Sequence, residues 1–97
     1  MDGFNELIHQ PVRLKIMAAL KALPEGEALE FVRLRALVDA TEGNLGAHLA
    51  TLDKAGYVQI EKDFAGNKPR TRIYLSLAGR GAFARHVHCL RQMLGGA

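Results

Sequence analysis

The spacing of the apolar residues changes at Gly56 and changes back at Gly79. Outside this interval apolar residues recur every three or four positions, which predicts helices. Inside it they alternate with polar residues, which predicts a β-hairpin with a turn at Ala65–Pro69. The predicted order begins with an opening helix capped by Asp2, a helix beginning at Pro11 and a short strand at Ala28–Glu30. Two helices follow, the first from Phe31 to Val38 and the second over residues 42–55. The chain then forms a hairpin over residues 57–77 and a final helix over residues 79–94.

This order defines an α+β fold that is mainly α. Two helices joined by a short turn at Asp39-Ala40 form a helix-turn-helix, and Thr41 is the expected N-cap of the second helix. The hairpin directly after it takes the position of a wing. The prediction is therefore a single domain over residues 1–97, a winged helix-turn-helix with a two-stranded wing and a long C-terminal helix.

The composition indicates the cellular compartment in which this domain works. Cys89 is the only cysteine, which excludes a disulfide framework and favours a reducing cytoplasm. No apolar run approaches the ~20 residues of a membrane span, so we expect no membrane partner. Asp2 and Glu6 interrupt the N-terminus, which lacks the apolar core of a secretion signal.

Charge is distributed unevenly along the chain. Residues 1–53 hold five Lys/Arg and eight Asp/Glu, a net charge of −3, whereas residues 54–97 hold eight and two, a net charge of +6. A basic half of this kind suggests a surface for a polyanion, with DNA the first candidate. The alternative is a basic face that only keeps the protein solvated.

The helix over residues 42–55 is unusual because its smallest residues lie opposite its leucines. Leu45, Leu49 and Leu52 share one side, which we expect to be buried. The other side is small and polar, so the backbone can approach a DNA major groove closely. It carries Gly43, Ala47, Ala50 and Lys54, flanked by Asn44, Gly46 and Thr51, with His48 at the edge of the leucine stripe. The alternative is that the glycines permit close packing within the protein.

The hairpin places four cations around its turn, where they suit DNA phosphates or the minor groove. The alternative is that charged edge strands only prevent aggregation. Its apolar face is expected to comprise Ile73, Leu75 and Leu77. The predicted DNA-binding set is Thr41, Gly43, Asn44, Ala47, Thr51, Lys54, Lys62, Lys68, Arg70 and Arg72, to which a family resemblance adds His48.

Three segments resemble the winged helix-turn-helix transcriptional regulators of the ArsR/MarR-like group, in its branch of small stand-alone proteins. They are "LIHQPVRLKIMAAL" (Leu7–Leu20), "LEFVRLRALVDATEGNLGAHLATLDKAGYV" (Leu29–Val58) and "YLSLAGRGAF" (Tyr74–Phe83). The resemblance implies a homodimer on pseudo-palindromic double-stranded DNA, with residues 42–55 in the major groove and dimerisation through the terminal helices. In the resemblance, Asn44 and His48 match recognition-helix positions, and Lys68 to Arg72 match the wing. The family often has a threonine cap at the position of Ala78.

The apolar residues of the two chain ends also suggest a dimer, because they exceed what a small subunit readily covers. The alternative is that they complete the core of the monomer. The predicted dimer interface is Phe4, Leu7, Ile8, Phe83, Val87, Leu90, Met93 and Leu94.

Catalytic and metal chemistry is not indicated. The chain shows no pairing of nucleophile and base and no phosphate-binding loop, so we expect no enzyme and no cofactor. His86, His88 and Cys89 are metal-ligating residue types, but His88 lies off the helix face that the other two share.

The resulting hypothesis is a DNA-binding transcriptional repressor, with any small-molecule effector left open. The alternative is a winged-helix protein-interaction module without DNA binding.

Overall fold

The computed structural model describes residues 2–96, and within that range the chain forms five helices and three strands. Every predicted element is present in the predicted order, which confirms the α+β, mainly α, winged helix-turn-helix fold. The elements are α1 (Glu6–His9), α2 (Pro11–Lys21), β1 (Ala28–Glu30), α3 (Phe31–Val38), α4 (Glu42–Lys54), β2 (Val58–Ala65), β3 (Lys68–Leu75) and α5 (Leu77–Met93).

The core lies where the helix-turn-helix meets the small sheet. One apolar side of each helix is buried there, together with Val58 of β2 and Ile73 of β3. The leucine stripe of α4 is confirmed, because Leu45, Leu49 and Leu52 are all buried. These contacts hold α4 with its opposite side facing away from the domain.

Local signals at both ends of α4 act as predicted. The Thr41 hydroxyl oxygen accepts the Asn44 backbone N–H at 3.1 Å and so caps the helix. Gly56 follows the helix with φ +82°, a left-handed conformation that glycine adopts without strain. The chain therefore leaves α4 sharply and enters β2 beside it.

The sheet has the order β1-β3-β2, and both pairings are antiparallel. Strands β2 and β3 pair from Val58↔Leu75 to Ala65↔Lys68, so only Gly66 and Asn67 form the turn. The predicted turn over Ala65–Pro69 was too long, because the strands continue to the ends of a two-residue loop. The register matters for function because it decides which charged side chains face each other.

Two predictions about where helices begin are wrong. Asn5, not Asp2, caps α1, since its side-chain oxygen accepts the Ile8 N–H at 3.0 Å. Leu77 does not belong to the apolar strand face: it begins α5 and is 73% exposed. The cap of α5 is Ser76, whose hydroxyl oxygen accepts the Gly79 N–H at 2.9 Å, so the lack of threonine at position 78 does not leave this helix uncapped.

Candidate nucleic-acid interface

The outward side of α4 is open and small, as predicted. Gly43, Ala47, Ala50 and Lys54 are exposed. A methyl group built at Gly43 or Gly46 would meet no heavy atom within 4 Å apart from its chain neighbours and the nearby backbone of its own helix. Neither glycine is needed for packing inside the described subunit, so the prediction's intramolecular alternative is wrong.

Gly79, by contrast, is a glycine that close packing within the subunit requires. A methyl group there would lie 2.1 Å from the carbonyl oxygen of Tyr57, a backbone atom that cannot rotate away. Gly79 lets the start of α5 sit against the entry to β2. The glycines of α4 have no such neighbour, which leaves the small outward face to be explained by something outside the subunit.

Different neighbours flank the two sides of this face. On one side Glu42 and Gly46 line a groove together with Ile60 and Lys62 of β2 and Thr71 of β3. On the other side, helical spacing aligns Asn44, His48 and Thr51 in one stripe. The hairpin therefore stands beside α4 on the Gly46 side, and the polar stripe lies on the opposite flank.

Arg13 of α2 contacts the polar stripe. Its Nη1 donates to Nδ1 of His48 at 3.0 Å, and its Nε donates to the carbonyl oxygen of Leu7 at 2.6 Å. Burial and the neighbouring guanidinium hold the pKa of His48 below its ordinary value. Residue 13 lies in the segment that carries the family resemblance, but the sequence reasoning gave it no role.

The hairpin separates its cations onto two faces. Residues directly opposite in an antiparallel pair share a face, and neighbours along a strand alternate. Lys62 is opposite Thr71, on the face turned toward α4. Arg70 and Arg72 are opposite Asp63 and Glu61, on the other face.

Both arginines are bound by carboxylates of the same hairpin. Arg70 Nε and Nη2 donate to the two oxygens of Asp63 at 2.9 and 2.8 Å, a bidentate pair. Arg72 Nη2 contacts Glu61 and also lies 3.1 Å from Asp63 Oδ2. The hydrogen bond from Arg70 lowers the pKa of Asp63, and both arginine charges add to the effect. The four side chains have a net charge of zero.

The remaining predicted contact residues keep free polar groups to different degrees. Thr51 donates its hydroxyl to the carbonyl oxygen of Ala47 at 3.2 Å and retains acceptor capacity. Asn44 is exposed, and its amide has no hydrogen-bond partner among residues 2–96. Lys54, Lys62 and Lys68 are exposed and form no ion pair within that range.

Phe64 is a surface feature that the sequence reasoning missed. It pairs with Pro69 near the turn, on the same hairpin face as Lys62, and is 68% exposed. The strand alternation contained the signal, since residues 60, 62 and 64 share a face. The face turned toward α4 thus ends in an apolar ring.

Comparison with known proteins agrees with this geometry. The profile described as "Winged helix DNA-binding domain" matches residues 12–94. The chain belongs to the winged-helix DNA-binding domain family. The sequence-based resemblance to winged helix-turn-helix regulators is confirmed, and this winged-helix protein is a DNA-binding transcriptional regulator.

Three similar proteins span most of the winged-helix chain. The uncharacterized protein MJ0432 of Methanocaldococcus jannaschii is 32% identical over 88 residues, 91% of this chain and 92% of its own. A transcriptional regulator homologue of Pyrococcus horikoshii OT3 is 27% identical, with a TM-score of 0.84 over 94% of this chain and 87% of its own. A MarR-family regulator of Silicibacter pomeroyi, 22% identical, shares the fold with a TM-score of 0.67 over 93% of this chain and 60% of its own.

The predicted dimer residues of this winged-helix protein differ in accessibility. Ile8 and Phe83 are buried in the subunit's own core, so their side chains are not available to a second copy in this conformation. Phe4, Leu7, Val87 and Leu90 are half-buried. Met93 and Leu94 are exposed, Leu94 to 85%.

His86 is buried, and its ring contacts the N-terminal segment of the chain. Its Nδ1 accepts the Asn5 backbone N–H at 3.0 Å, and its Nε2 lies 3.2 Å from His9 Nδ1. Phe4 packs against both imidazole rings, with centroid distances of 5.0 Å. Burial, and to a lesser extent His9, lowers the pKa of His86. These contacts join the N-terminal segment to α5.

The metal-ligating residue types near the end of α5 do not converge. Cys89 is buried and His88 is exposed. Over residues 2–96 no three His, Cys, Asp or Glu side chains are grouped to hold a metal ion. Within the same residues, no helix is both long enough and apolar enough to cross a membrane.

Proposed function

We propose that this winged-helix regulator binds double-stranded DNA sequence-specifically as a homodimer and acts as a repressor, with α4 in the major groove and the hairpin on the backbone or in the minor groove. The observation that carries the proposal is the small outward side of α4, with open space around Gly43 and Gly46. A major groove about 12 Å wide admits a helix, and small side chains let it enter more deeply. With DNA as the partner, the site of action is the cytoplasm.

The proposed contacts follow from the chemistry of this side of α4. Asn44 has a free amide, which suits bidentate pairing with adenine, and the Ala47 methyl suits a thymine methyl. Thr51 retains acceptor capacity, and Thr41 can donate its hydroxyl hydrogen while its oxygen caps the helix. Lys54 at the last turn contributes a charge for a phosphate.

The hairpin cations have unequal proposed roles. Lys62 faces the α4 side and Lys68 adjoins the turn, and neither is engaged in an ion pair within residues 2–96. Arg70 and Arg72 are paired with Asp63 and Glu61, so a neighbouring carboxylate opposes the attraction of each arginine for a phosphate. We therefore assign the larger share of wing binding to the lysines.

The proposed dimer uses the accessible part of the terminal segments. Met93 and Leu94 offer exposed apolar surface near the end of α5, and Val87 and Leu90 extend it along the helix. A twofold dimer presents two copies of α4 to half-sites about one DNA turn apart, which fits a pseudo-palindromic operator.

The test is fluorescence anisotropy with the duplex from upstream of the protein's own gene and a scrambled duplex, each at low and moderate salt. We expect saturable binding that is tighter on the native duplex and falls steeply with salt, because lysine–phosphate contacts release counterions. Equal affinity for both duplexes contradicts sequence-specific binding. No binding to either duplex at low salt contradicts DNA binding.

A second candidate function is a winged-helix module that binds another protein. It is favoured by the sparse charge of the α4 side, where Lys54 is the only cation, and by the neutralised arginines of the wing. This function predicts no duplex binding and a partner whose capture changes little with salt. The same titration therefore separates the two functions.

A further inference from the structure

Arg13 connects the N-terminal segment to the helix proposed to enter DNA. Its guanidinium spans two acceptors, the Leu7 carbonyl oxygen of α1 and His48 Nδ1 of α4. The rigid fork of an arginine suits two acceptors at fixed positions, and a lysine ammonium lacks this geometry. Arg13 itself is half-buried at the start of α2.

The contact with Arg13 determines where His48 carries its proton. A guanidinium only donates hydrogen bonds, so Nδ1 of His48 must be the acceptor. A neutral imidazole has one N–H, which therefore belongs to Nε2. A doubly protonated ring would point an N–H at the guanidinium and lose this hydrogen bond. The lowered pKa of His48, due to burial and then to Arg13, agrees with the neutral form.

The Nε2–H of His48 is available to an outside partner. It has no hydrogen-bond partner among residues 2–96, and Arg72 Nε is the one buried side-chain nitrogen or oxygen in that range without one. The Nε2 atom of His48 is therefore in contact with solvent. It lies in the same stripe of α4 as Asn44 and Thr51.

We propose that Arg13 is a positioning residue that fixes His48 with its proton on Nε2, so that His48 donates one hydrogen bond to an acceptor of bound DNA. The inference rests on the proposed function, because it concerns a hydrogen bond that His48 donates when α4 docks on DNA. Arg13 of α2 sets the direction of that hydrogen bond. The acceptor is an oxygen or nitrogen of the duplex, on a phosphate or on a base edge.

The first readout needs no DNA and tests the hydrogen bond between Arg13 and His48 directly. Imidazole ¹⁵N shifts of the free protein report which ring nitrogen of His48 is protonated. We expect the Nε2–H form at pH 7 in the wild type, and in Arg13→Lys a mixture of the two forms. An Nδ1–H form in the wild type, or an unchanged ring in Arg13→Lys, overturns the proposal.

The second readout is affinity for the native upstream duplex. His48→Asn places an acceptor near Nδ1 but has no donor near Nε2, and loss of one hydrogen bond is expected to weaken binding about fivefold to tenfold. Arg13→Lys is expected to weaken binding by a similar factor, although the charge and thus the salt dependence are kept. Their combination is expected to be no weaker than His48→Asn alone, because both remove one interaction. Lys15→Arg, exposed on the same helix, is the control and should leave binding unchanged.

A rescue variant separates positioning from general support of the fold. His48→Gln carries an amide donor near the position of Nε2, and that donor does not depend on Arg13. We expect His48→Gln to keep most of the affinity, and Arg13→Lys to have little effect in that background. If Arg13→Lys weakens binding equally in the wild-type and His48→Gln backgrounds, Arg13 does not act through His48.

The outcomes distinguish this inference from the proposed function. Wild-type protein that binds no duplex refutes the proposed function. Wild-type protein that binds, while His48→Asn binds equally well, refutes only the role of His48. Loss in His48→Asn on both native and scrambled duplexes supports the donor and assigns it to phosphate, whereas loss on the native duplex alone supports it and assigns it to a base.

Discussion

Replacing Gly46 by alanine should make the protein more stable. In a helix interior alanine is favoured over glycine by about 1 kcal/mol, because glycine loses more backbone freedom on folding. At Gly46 nothing offsets this gain, since beyond its chain neighbours and its own helix backbone the added methyl meets no heavy atom within 4 Å. In a domain of this size about 1 kcal/mol corresponds to a rise of roughly 4–8 °C in Tm.

Gly79→Ala is the matched control, the same substitution in another helix of the same chain. Its methyl would lie 2.1 Å from the Tyr57 carbonyl oxygen, and overpacking of this kind costs about 1–3 kcal/mol. Thermal unfolding followed by circular dichroism measures both variants against the wild type. A lower Tm for Gly46→Ala would refute the reasoning, because it would mean that this side of α4 is packed within the protein.

Three further predictions concern charge, pH and capping. Asp63→Asn removes the bidentate partner of Arg70, so affinity for duplex DNA should rise severalfold at low salt in anisotropy titrations; unchanged affinity would mean that the arginine does not reach DNA. The pKa of His86 is lowered in the folded state, so below pH 6.5 the unfolded state binds more protons than the folded state. In urea unfolding, the free energy of unfolding should therefore be highest above pH 6.5. Below that pH it should fall by up to about 1.4 kcal/mol per pH unit. His86→Gln should flatten that dependence, and an equally steep profile would contradict the assignment. Thr41→Ala should lower the free energy of unfolding by about 1 kcal/mol, and no change would mean that the cap is dispensable.

The sequence predicted the parts of the fold that depend on local signals. Apolar spacing identified each helix, Thr41 identified the start of α4, and Gly56 identified its end. The hairpin register was also within reach, because a two-residue turn at Gly66-Asn67 sets Asp63 opposite Arg70. Expecting a longer turn hid that pairing, and with it the ion pairs that neutralise Arg70 and Arg72.

Contacts between distant segments could not be predicted in this way. Arg13 and His48 are 35 positions apart, and Asn5 and His86 are 81 apart. Such pairs depend on how helices are packed, which apolar spacing does not specify. For the same reason the sequence did not distinguish Phe83, buried in the subunit, from Leu94, which is exposed. Both belong to the apolar stripe of one helix, and the stripe does not tell which partner covers it.

The central claim is that the small side of α4 and the Lys62 face of the hairpin bind the duplex. The most direct test is an NMR titration of ¹⁵N-labelled protein with the native upstream duplex, followed through backbone amide shifts. The account predicts the largest changes at Gly43, Asn44, Ala47 and Lys54, with further changes at Lys62 and smaller ones at Arg70. Changes confined to α3 or α5, with the α4 amides unmoved at saturation, would contradict it.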